Sequence, residues 1–88
     1  MIQMLKEGVL LEFFGIGYGL IVEETEKTLL IRKCILSDGK FTPVPEATFV
    51  EKDLVKSAYW IKVVDDPELT ETVDINRSVD LVSEFFDV

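Results

Sequence analysis

Apolar and polar positions alternate in short runs along the first 64 residues, and the spacing predicts strands. Val9 to Phe14 places Val9, Leu11 and Phe13 on one face. Leu20 to Glu24 resumes an extended pattern after Gly15-Ile16-Gly17-Tyr18-Gly19, where three glycines predict a bend or bulge. Thr25-Glu26-Lys27 is a polar turn. Thr28 to Leu36 is apolar on both sides, with Leu29, Ile31 and Ile35 on one face and Leu30, Cys34 and Leu36 beside Arg32 on the other. Such a strand belongs in the centre of a small closed or strongly curled sheet. Ser37-Asp38-Gly39-Lys40 predicts a tight hairpin, because Asp and Gly tolerate left-handed geometry.

Further along, Thr42-Pro43-Val44-Pro45 is expected to be extended but not in mid-sheet, since two prolines lack the ladder donor. Phe49-Val50 predicts a short strand, Glu51 to Leu54 a turn, and Ser57 to Val64 a last strand with Tyr59, Ile61 and Val63 on one face. Asp65-Asp66-Pro67-Glu68 then changes the pattern. Ile75, Val79, Val82 and Phe86 recur at spacings of four, three and four, with Leu81, Phe85 and Val88 in a second row. That period predicts an amphipathic helix from about Asp74 or Asn76 to Phe86.

The expected fold is mainly β: a small curled antiparallel sheet or SH3-like barrel of five or six short strands with one C-terminal acidic amphipathic helix. The organisation is one domain, with a β-barrel-like body over 1–64 and an acidic segment over 65–88. Gly17-Tyr18-Gly19-Leu20-Ile21-Val22, Asp38-Gly39-Lys40-Phe41 and Phe49-Val50-Glu51-Lys52-Asp53-Leu54 give residues 8–64 a pattern that resembles small SH3-like or KOW-like barrels. The resemblance concerns fold. It does not extend to nucleic-acid binding, because the body lacks a basic surplus.

Charge sharpens the division. Residues 65–88 hold eight acidic residues against one base, Arg77, a net −7, which leaves −1 of the total −8 to the first 64 residues. A near-neutral body with an acidic end points to an interaction surface rather than a reaction centre. Histidine is absent and Cys34 is the single cysteine, so the commonest general base, an intrachain disulfide and a thiolate metal cluster are all missing. Cys34, mid-strand, reads as a buried structural thiol in a reducing compartment. The glycine run matches neither a dinucleotide nor a phosphate-loop motif. Asp65, Asp66, Glu68 and Asp74 lack the order of a calcium loop and read as a capped, solvated face. Glu23 and Glu24, adjacent on a strand, point to opposite sides and cannot act as an acid/base pair. The apolar run Val9 to Val22 contains Glu12 and three glycines and is too short to span a bilayer.

These observations predict a cytoplasmic, non-enzymatic protein–protein interaction or assembly module, without cofactor or metal. Its candidate partner-binding residues are Tyr18, Trp60, Asp80, Glu84, Phe85, Phe86 and Asp87. The expected partner is another protein with a basic surface, not nucleic acid or membrane, and self-association is a further expectation. The alternative is an acidic inhibitor or decoy whose carboxylates imitate a phosphate ladder in the cleft of a basic nuclease or nucleic-acid-binding protein.

Overall fold

The structure is a computed structural model that describes residues 5–69 and 80–82, with Asp80 described through its backbone. Six strands and a short helix follow one another: β1 Leu10–Phe13, β2 Gly17–Glu24, β3 Thr28–Ser37, β4 Lys40–Glu51, α1 Lys52–Ser57, β5 Ile61–Val63 and β6 Asp80–Leu81. They form one sheet in the order β5-β1-β2-β3-β4-β6. All neighbouring pairs are antiparallel except β4 with β6, which is parallel. The sheet is open, with β5 and β6 at its two edges, so the closed SH3-like barrel is not observed. Extents of 30 × 25 × 23 Å leave no thin dimension, as strong curling of the sheet requires.

Three tight connections follow from local chemistry. At the β1–β2 turn, Ile16 N–H donates to Phe13 O at 2.9 Å and Gly15 takes φ +78°, as the third residue of a type II turn must. At the β3–β4 hairpin, Asp38 and Gly39 have φ of +53° and +77°, the pair of positive values that a two-residue hairpin favours. Thr25 and Thr28 close the β2–β3 turn through main-chain and hydroxyl bonds.

Alternation along the strands builds a core on each face. One face gathers Leu11, Phe13, Ile21, Leu29, Ile31, Val50 and Ile61 with Val55 of α1, and Leu5, Val9, Ala58, Trp60 and Val63 pack against them. The other gathers Leu10, Leu20, Val22, Leu30, Cys34, Phe41 and Ala47, joined by Tyr18, Val64 and Leu69. Both faces of β3 are therefore buried up to Cys34, as its two-sided apolar pattern predicts.

Several expectations need correction. Residues 42–45 and 49–50 belong to one twelve-residue strand, β4, which has partners on both sides. The prolines fit because the β3–β4 register breaks there: Arg32 faces Ala47, but Cys34 faces Pro43. Val44, Pro45 and Glu46 thus stand against Lys33 alone, in a bulge where a missing N–H costs no ladder bond. The turn expected at Glu51 to Leu54 is instead the last residue of β4 followed by the first part of α1, which buries Val55. That helix takes up Ser57, and the last strand shortens to Ile61–Val63. The C-terminal helix expected from about 74 to 86 is not seen where residues are described. Asp80–Leu81 pair with Glu46 and Ala47, and Val82 N–H donates to Ala47 O at 2.9 Å. The rest of that expected helix lies outside the described residues. Leu69 also joins the sheet through a bridge to Phe41, so part of the acidic segment pairs with the body.

Among the described residues, no helix is long and apolar enough to cross a membrane.

Candidate interaction surface

Five large apolar side chains stand exposed around one end of the sheet. Phe13 ends β1 and pairs with Gly17 and with Ile61, which brings the 14–16 turn beside the chain entering β5. Phe14 N–H donates to Trp60 O at 2.9 Å, fixing the two segments side by side. Phe14 is 73% exposed and Tyr59, next to Trp60, is 90% exposed. Ile16 completes the turn. Ile35 and Leu36 follow Cys34, the residue opposite Tyr18, and so lie at the same end of the sheet, both exposed.

Why these side chains face water follows from the strand pattern. Phe13 takes the inward position, so Phe14, first residue of the turn, must leave the core. Tyr59 sits in the turn between α1 and β5, where Ala58 and Trp60 take the inward positions. Both aromatics were missed as candidates by sequence reasoning. The doublet Phe13-Phe14 before glycine was the available signal, because strand alternation buries only one of two adjacent aromatics. Tyr59 was hidden by the assumption that the last strand begins at Ser57.

The predicted candidates are not brought together. Tyr18 is half-buried in β2, with its ring edge-on to Phe41 at 4.9 Å between centroids and an interplanar angle of 68°. Trp60 is half-buried on the opposite face, 6.2 Å from the Phe13 ring. Each serves a core cluster on its own side of the sheet. Asp80 lies in the backbone of β6, and Glu84, Phe85, Phe86 and Asp87 lie outside the described residues.

The β5 edge beside this surface is a poor template for another strand. Bonds from Phe14 N–H to Trp60 O and from Val64 N–H to Leu10 O bracket the β1–β5 ladder. Alternation then turns the backbone groups of Ile61 and Val63 outward. Only three residues long and carrying exposed Lys62 at its centre, the edge is blunted against strand addition. Recognition at this end falls to side chains.

Elsewhere the chemistry is quiet. A groove of about 550 Å³ beside α1 sets Lys27, Lys52 and Lys56 against Glu26, Glu51 and Asp53, so its charges cancel and select no ligand sign. Lys52 is already paired with Glu24 at 2.7 Å. Among the described residues, no group of three or more acidic or cysteine side chains is placed to hold a metal ion.

Cys34 is buried, as its position mid-strand predicts. Burial raises its thiol from 9.0 to about 11, against the opposing pull of the Arg32 charge and a backbone hydrogen bond with Leu20. The folded chain holds this proton after the unfolded chain has lost it, so stability should fall as pH rises from about 9 to about 11. Alkylation of the native thiol at pH 8 should run about a hundredfold slower than in urea, in proportion to the thiolate present. Equal rates in the two states would place Cys34 at the surface.

No protein-family model, no curated protein and no solved structure matches the chain.

Proposed function

We propose that this chain is a non-enzymatic protein–protein interaction or assembly module that grips its partner with the apolar end of its sheet. The carrying observation is that Phe14 and Tyr59, at 73% and 90% exposure, stand on two segments joined by the Phe14–Trp60 backbone bond. Large exposed aromatics on rigid backbone are the side chains on which binding energy concentrates. A folded monomer that kept them in water would gain nothing from them. The net −7 of residues 65–88 favours a partner with a basic surface, and its attraction acts mainly on encounter rate and specificity.

This reading moves the contact away from the residues suggested by sequence, Tyr18 and Trp60, whose rings are engaged with Phe41 and Phe13. It also stands ahead of the decoy reading, which needs carboxylates spaced on a helix face. Asp80 sits in a strand, so that ladder loses one of its members.

Site-specific photo-crosslinking tests the proposal. A benzophenone side chain at position 59 should give a defined adduct in the native extract or with a second copy, whereas the same group at Glu26, in the turn at the other end of β2, should not. The double variant Phe14→Ser/Tyr59→Ser should weaken the association by about tenfold or more while leaving the melting temperature nearly unchanged. Identical adducts from both positions, or an association indifferent to the double variant, would reject this surface.

A further inference from the structure

We infer that the guanidinium of Arg32 is the receptor for a carboxylate. This inference is independent of the apolar end described above and rests on other residues. Arg32 is only 8% exposed, the one charged side chain among the described residues to be buried in the core. It lies on the face of Leu20 and Ala47, its register partners in β2 and β4. With only a methyl at Ala47, the stem has room to run across β4 to the proline bulge. There its Nε donates to Val44 O at 2.6 Å, a carbonyl that the register break releases from the ladder. Nη1 is buried and has no hydrogen-bond partner. The ion pair found among the described residues, Lys52 with Glu24, involves neither Arg32 nor its neighbours.

Arginine stays charged at any ordinary pH, and a charge removed from water needs a counter-charge as well as hydrogen bonds. The Val44 carbonyl aims the head group without neutralising it. A planar, monoanionic, two-oxygen acceptor matches the guanidinium fork and balances its single charge. A phosphate dianion would leave a second negative charge beside Leu20 and Ala47, which offer it nothing. The ligand chemistry is therefore carboxylate. It has two sources: a free carboxylic acid, or an acidic side chain of residues 65–88, part of which reaches this region when Leu81 pairs with Ala47.

The chain contains only two arginines, Arg32 and Arg77, so an arginine-labelled sample of the full chain gives two Nε–Hε NMR signals. Sodium benzoate is titrated against sodium chloride at constant ionic strength, in the wild type and in eight variants that each replace one carboxylate of 65–88 with its amide. A free-acid site predicts saturable movement of the Arg32 signal alone in the wild type, with thermal stabilisation by benzoate that Arg32→Met abolishes. In Arg32→Lys the benzoate affinity should fall by at least about tenfold, since the fork is lost. An intrachain occupant predicts that one amide variant shifts the Arg32 signal and only then admits benzoate. The inference is overturned if neither benzoate nor any amide variant moves Arg32 more than Arg77. The wild-type and amide spectra decide this even if Arg32→Met fails to fold.

Discussion

Replacing Phe13 with alanine is expected to destabilise the chain by about 3–5 kcal/mol, while the same change at Phe14 should stay within about 0.5 kcal/mol. The two residues are neighbours of identical type, yet Phe13 is 1% exposed and Phe14 is 73% exposed. Phe13 is the last residue of β1 and touches three elements at once. It faces Ile61 across β5, Gly17 across β2, and carries the half-buried Trp60 ring 6.2 Å from its own. Truncation removes apolar burial and leaves a cavity among the buried side chains of that face. A chain of 88 residues has a total stability of about 4–13 kcal/mol, so the loss amounts to about a quarter or more. In urea denaturation the midpoint for Phe13→Ala should fall by about 2 M, or the variant should be unfolded outright, with Phe14→Ala superimposed on the wild type. Comparable losses at both positions would mean that the alternation of β1 is misassigned, and with it the exposed surface on which the proposed function rests.

The legible parts of this fold are those where local chemistry and tertiary context agree. The Asp38-Gly39 hairpin, the polar turn at 25–27 and the two-sided burial of β3 all follow from short-range pattern, and each is found. Residues 42–45 misled because proline argues against a paired strand only where the ladder is regular. The three-residue bulge of β4 opposite Lys33 suspends that argument for Pro45, and it is a property of register that one strand's sequence does not contain. Lys52 to Ser57 misled for another reason: a helix of a turn and a half has too little period to stand out, and its one buried residue is Val55. At Asp80 and Leu81 the helical spacing competes with pairing to the outer edge of β4, and the pairing prevails. Its partner, the edge at Glu46 and Ala47, exists only once the sheet has formed.

Function was less legible than fold, and for a related reason. Sequence identifies which residues are aromatic or charged but not which of two adjacent ones the core rejects. Phe14 and Tyr59 are exposed because Phe13 and Trp60 take the inward places, a decision made by the β1–β5 register. Arg32 reads in sequence as one polar position in an apolar strand. Its burial, and the idle Nη1, appear only with the bulge that turns the Val44 carbonyl toward it.

Gly19→Ala is the second change expected to have a large effect, about 2–3 kcal/mol of destabilisation, and its cause can be isolated. Gly19 lies in mid-strand with a backbone any residue adopts, so its conformational freedom is not the reason it is there. An alanine would even gain about 0.4–1 kcal/mol by restricting the unfolded chain. Packing opposes that gain and wins. A methyl at position 19 overlaps Ile31 Cγ2 and sits 3.2 Å from Phe13 Cε1. Ile31 is fully buried on the central strand between Ile21 and Thr48, and its Cγ2 is attached directly to Cβ, so it cannot swing away. Ile31→Ala alone should cost about 2–5 kcal/mol through its cavity. In that background the methyl added at position 19 enters vacated space, and adding Gly19→Ala should then cost nearly nothing. The coupling between the two sites should therefore reach about 2–3 kcal/mol. Ile31→Val keeps both γ carbons, so it should leave the penalty of Gly19→Ala intact. Strictly additive losses in the Ile31→Ala pair, or relief by valine equal to that by alanine, would show that Gly19 is held by something other than the close approach of β2 to Ile31.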